Sequence, residues 1–181
     1  REEAAAQGAD PLGQTQASDM AIAEDEPVVH FRFDAGLANA GSLGDDIAAK
    51  QQGKVALGQA GPRPKLYPDF SASNKALNLN GGYLRIADPG VSSPLDFTSG
   101  DALTLEAWVN PEMSGNGYFY IIGKGRTNRD GFAKENQNWS LRLDGRGGKF
   151  KLSFLFRDHR NGGDEHFHRW TSAKAFAART E

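Results

Sequence analysis

Between Ala102 and Pro111 the sequence reads ALTLEAWVNP, in which Leu103, Leu105, Ala107 and Val109 alternate strictly with Thr104, Glu106 and Trp108. Alternation over this length is a strand signal, because successive side chains of an extended chain point to opposite faces. Pro111 ends the run, having no N–H to give to a ladder. A strand of this kind has one apolar face, so the chain must supply other strands to pair with it and cover it.

Candidates for those strands recur along the sequence. Val29, Phe31 and Phe33 alternate with His30, Arg32 and Asp34, and a weak strand is expected around Lys54–Leu57, before Gly61-Pro62 and Pro64 force a loop. Lys75–Asn80 and Tyr83–Ala87 read as a hairpin about Asn80-Gly81-Gly82, a turn sequence rich in the positive φ values that tight hairpins need. Tyr118–Ile122 is apolar on both sides and is expected to be buried on both, or covered by loops. Trp139, Leu141 and Leu143 alternate with Ser140 and Arg142, and beyond the glycine turn at 144–148 the chain returns as Phe150, Leu152, Phe154 and Phe156. His166–Thr171 supplies one more strand, and 172–181 has no clear pattern. About eight short strands and no helix predict an all-β fold, an antiparallel two-sheet sandwich.

Composition agrees and narrows the function classes. With 181 residues the chain can bury a core, and 22 glycines with 18 aromatic residues suit short strands joined by turns. Residues 1–26 hold Arg1 against seven carboxylates, net −6, and contain no aromatic residue. They read as a disordered acidic linker or tail. The whole chain carries −2, so residues 27–181 carry +4, too weak a field to argue for nucleic acid. Cysteine is absent, which excludes disulfides, thiolate metal sites and a thiol nucleophile. No apolar run approaches the length that inserts into a membrane, and with Arg1 as first residue a missing signal peptide carries no argument against secretion.

The segments ALNLNGGYLRIADP, LDFTSGDALTLEAWVNPE, IIGKG, NWSLRLDG and KLSFLF, in this order, resemble the laminin G-like domains of the concanavalin A-like lectin and glucanase superfamily. The resemblance runs from Val28 to about Phe156. It implies a jelly-roll of two curved antiparallel sheets over 27–181, in an extracytoplasmic, bacterial, multidomain setting. It also implies a surface that takes glycans or proteins, often with calcium. The Trp-His-His-Val strand and Tyr-x-Asp-Gly hairpin that usually follow in that family have no counterpart here, so the domain is expected to be partial at its C-terminal side.

The polar side of the central strands is the candidate ligand site: Glu106 and Trp108, Arg142, and Lys151 and Arg157. An aromatic ring stacks on the C–H face of a sugar while polar groups hold its hydroxyls. The simpler alternative is a solvated face with a Glu106–Arg142 cross-strand pair worth under about 1 kcal/mol. Calcium is the one cofactor left open, with Asp34, Asp96, Asp101, Asn128 and Asp130 in loops that could converge. A second metal candidate comprises His159, Asp164, Glu165, His166 and His168, with a polar loop as the simpler account.

No catalytic pattern is present. The Glu-x-Asp-x-x-Glu strand of the glucanase relatives has no match, since Glu106 stands alone with Trp108 in place of a second carboxylate. There is no Gly-x-Ser-x-Gly elbow, and Gly123-Lys124-Gly125 lacks the phosphate-loop spacing. The expectation is therefore a non-catalytic binding or adhesion module for carbohydrate or another surface ligand, within a larger protein. Two alternatives stay open: a structural domain packing against an enzyme or redox partner, and a glycoside hydrolase whose carboxylates lie outside this chain.

Overall fold

The computed structural model describes residues 26–34, 36–88, 90, 93–97, 101–112, 115–125, 138–157 and 167–178. They form an all-β structure in which every strand pair is antiparallel, with a single 3-10 turn at Gly44–Asp46. The expected tail is described only at Glu26. Two compact units divide between Asp88 and Pro89.

The first unit is built on a bent ribbon. β1 (Ala49–Gln52) pairs with β4 (Tyr83–Ile86), and β2 (Val55–Ala60) pairs with β3 (Lys75–Leu79). The sequence predicted that β3 and β4 would pair with each other, and they do not. Asn80-Gly81-Gly82 is a kink in a continuing strand, opposite a matching kink at Gly53. Gly53 and Gly81 take φ of 70° and 75°, and Asn80 donates its N–H to the Lys54 carbonyl at 3.2 Å, so the ladder resumes past the kink. Positive φ serves a bend as well as a turn, and the competing partner, AKQQ of β1, has no apolar pattern to announce it.

The expected strand at Val29–Phe33 reduces to one bridge, Phe31 with Asn39. Phe33 adopts φ 61°, which ends the extended run, and the Asn39 side chain holds the returning loop. Asn39 Oδ1 accepts the N–H groups of His30 and Gly41 at 2.7 and 2.9 Å.

The second unit carries a four-stranded sheet in the order β5 (Tyr118–Lys124), β6 (Trp139–Asp144), β7 (Phe150–Arg157), β8 (Phe167–Phe176). The β6–β7 hairpin forms as its alternation predicts, with Gly147 and Gly148 at φ 85° and 77° in the turn. β8 continues five residues past Thr171, into the stretch that showed no pattern. A register shift against β7 hides the alternation there, and Ser172 Oγ takes over the Leu152 N–H at 3.0 Å while donating to the Lys174 carbonyl.

Two further expectations are corrected. β5 lies at the edge of the sheet among the described residues and is not buried on both faces: Phe119, Tyr120 and Ile122 are exposed. Residues 101–112, with the most regular alternation in the chain, join no ladder among the described residues. Leu103 and Leu105 are half-buried and Thr104 and Glu106 exposed, as a two-sided strand requires, but Ala107, Trp108 and Val109 are all exposed. Alternation names a face; it does not supply a partner strand.

Candidate binding surfaces

The register of β5 to β8 sorts their side chains onto two faces. Trp139, Leu141, Leu143, Phe150, Leu152, Phe154 and Phe156 share one face with Phe119 of β5 and with His168, Trp170 and Phe176 of β8. Trp139, Leu141, Leu143 and Phe150 are buried and form its core. Phe150 meets Phe119 edge-on at 5.7 Å and Phe176 at 5.9 Å. At the β6 edge of this core Trp139 meets Phe97 edge-on at 6.0 Å and donates Nε1–H to the Leu95 carbonyl at 3.4 Å.

Toward β8 the apolar face opens to solvent. Phe156 stacks on His168 with ring centres 4.7 Å apart, Phe154 lies 5.9 Å from Phe156, and Trp170 stands directly across from Phe154. Trp170 is 57% exposed and Phe156 43%. Four aromatic rings thus form a row at the rim of the sheet. Their sequence signal was alternation of His168 and Trp170 in a strand paired with Phe154 and Phe156, which becomes readable only once β7 and β8 are known to be neighbours.

The other face holds Tyr118, Tyr120, Ser140, Arg142, Asp144, Lys151, Ser153, Leu155, Arg157, Phe167 and Arg169. The structure therefore brings Arg142, Lys151 and Arg157 onto one sheet face, as the strand pattern anticipates. A fully solvated face was the simpler alternative, and it is not what forms: Ser140, Arg142, Asp144, Ser153 and Arg157 are buried, and Lys151 is exposed. Arg142 packs its guanidinium 3.8 Å above the Tyr118 ring and donates Nε–H to Ser153 Oγ at 3.4 Å. Arg157 lies 5.6 Å from the Phe167 ring. Glu106 and Trp108, the other two candidates, sit on 101–112, and Trp108 is 66% exposed. Arg142 contacts Ser153, Tyr118 and Tyr120 and makes no ion pair with Glu106, so the cross-strand pair of the simpler alternative does not form.

Asp144 closes the β6–β7 turn. Both its oxygens accept from Arg146, Oδ1 from Nε at 2.8 Å and Oδ2 from Nη2 at 2.6 Å, and the Arg146 N–H adds a third bond at 3.2 Å. These donors hold the Asp144 carboxyl at about 2, below its ordinary 3.8.

Of the calcium candidates, Asp34 is exposed and pairs with Arg32 at 3.7 Å, Asp96 is held by Lys124, and Asp101 is exposed. Asn128 and Asp130 lie outside the described residues, as do His159, Asp164, Glu165 and His166. Among the described residues no three His, Asp or Glu side chains gather as a metal site would need. A depression of about 170 Å³ on the first unit, lined by Lys50, Gln52, Arg85 and Ala87, is smaller than the clefts that hold small molecules. No described helix is long and apolar enough to cross a membrane. No family model, curated protein or solved structure matches the chain.

Proposed function

We propose that the chain is a non-catalytic binding module that takes carbohydrate, a laminin G-like jelly-roll acting outside the cytoplasm as part of a larger protein. The observation that carries this is the exposed aromatic row Phe156, His168 and Trp170 on the rim of an antiparallel sheet. Large rings left in water beside one another form an apolar platform of the kind that marks a binding surface. The C–H face of a pyranose stacks on such rings, and the exposed Trp108 offers a second ring of the same kind.

A glycan array and retention on immobilised polysaccharide test this, with the full chain run in calcium and in chelator. Trp170→Ala should abolish retention with the far-UV spectrum unchanged. Retention that survives Trp170→Ala and fails in Trp108→Ala would move the site to residues 101–112. Loss of binding in chelator would bring calcium and the Asp-bearing loops into the site. A blank array from a folded sample would overturn the carbohydrate reading in favour of a structural domain.

A further inference from the structure

On the sheet face opposite the aromatic row, three arginines converge on one tyrosine. The guanidinium carbons of Arg142, Arg146 and Arg169 lie 3.8, 4.8 and 5.4 Å from the centre of the Tyr118 ring. One carboxylate, Asp144, stands with them, and Arg146 occupies both of its oxygens. Lys151, directly across from Asp144, adds a fourth cation. Arg142 is 4% exposed, and its Nη2 is buried with no hydrogen-bond partner among the described residues. Neither Arg142 nor Arg169 has an ion pair to a described carboxylate.

Like charges gathered around one ring repel, and a desolvated guanidinium with an unused donor is costly. A counter-anion relieves the repulsion and offsets the buried charge. We propose that this arginine face, centred on Tyr118, is a binding site for an oxyanion: a carboxylate, sulfate or phosphate group. Guanidinium forks suit such groups because their N–H donors are coplanar and spaced to match two oxygens. Arg146 and Arg169 are exposed and make first contact. The Tyr118 hydroxyl accepts from Arg146 Nη2 at 2.7 Å and keeps its own proton to donate. Arg142, buried in the sheet, contributes a fixed positive field. The site lies on the other face from Trp170, so it goes beyond the carbohydrate reading and stands apart from it.

Thermal melts of the full chain test the site, with sodium sulfate, phosphate and glucuronate each compared with chloride at equal ionic strength. Binding should raise Tm by about 3 °C or more over chloride in at least one arm, and the arm that responds identifies the oxyanion. Arg169→Gln, which alters an exposed side chain, should remove most of that shift. Arg169→Lys keeps the charge but loses the fork, and should weaken it severalfold. Equal shifts in wild type and Arg169→Gln would reduce the effect to general salt exclusion and overturn the proposal, as would no shift over chloride in any arm. An oxyanion shift with a blank glycan array would keep this site and remove the carbohydrate reading. Binding of neutral glycans with no oxyanion shift would do the reverse.

Discussion

Gly82 crosses Lys54 with no space for a side chain: a Cβ on Gly82 would stand 2.6 Å from the Lys54 carbonyl carbon. That approach is what lets the β1–β2 and β3–β4 arms of the ribbon bend together. Gly81, its neighbour, has open space around it but a φ of 75°. The two glycines are needed for different reasons, one steric and one conformational.

Gly82→Ala should therefore cost more than Gly81→Ala. The second pays a left-handed backbone penalty of about 1 kcal/mol, whereas the first must move the backbone at Lys54, about 2 kcal/mol or more. All three tryptophans lie beyond residue 100, so the measurement is hydrogen exchange at the β1–β4 amides. Equal protection in the two variants would place the kink elsewhere.

The Asp144–Arg146 pair makes stability depend on acid. The Asp144 carboxyl titrates at about 2 in the fold against 3.8 when free, so its contribution is complete above about pH 4. It is lost as the pH falls through 2. Arg146 is largely exposed, which screens the pair and keeps the effect small. Urea midpoints from pH 5 down to 2 should fall less steeply in Asp144→Asn than in the wild type. Parallel slopes would mean that other carboxylates carry the acid response.

Burial along β7 separates its phenylalanines. Phe150 is 1% exposed and braced by Phe119 and Phe176, so Phe150→Ala should cost about 3–5 kcal/mol and unfold the sheet at moderate temperature. Phe156→Ala, on the open rim, should cost well under half of that. Denaturation followed by Trp139 fluorescence distinguishes them, since Trp139 lies in the same core.

What could be read from the sequence depended on how far apart the partners lie. The β6–β7 hairpin was legible because both strands alternate and flank one glycine turn, so register is a local matter. The segment around Asn80-Gly81-Gly82 misled because a kink and a hairpin ask for the same residues. Only the distant, polar β1 decides between them. Arg142 reads from the sequence as a surface ligand group, yet its strand lies inside the sheet and Tyr118 covers its guanidinium. Trp170 gives no signal in the sequence, because nothing in FHRW reveals that Phe154 and Phe156 stand across from this strand.

The three tryptophans provide a direct check on which surface is open. Trp139 is buried, with its indole N–H directed at the Leu95 carbonyl, whereas Trp108 and Trp170 are more than half exposed. Trp108→Ala and Trp170→Ala should each change stability by no more than about 0.5 kcal/mol, and Trp139→Ala by about 3–5 kcal/mol. Acrylamide should quench most of the wild-type emission and leave a blue-shifted residue from Trp139. In a Trp108→Phe, Trp170→Phe double variant the emission should become almost fully protected. A glycan that seats on the aromatic row should shield Trp170 alone, so its protection must persist in Trp108→Phe and vanish in Trp170→Phe. Shielding lost in Trp108→Phe instead would assign the stacking ring to residues 101–112, where the sequence first placed it.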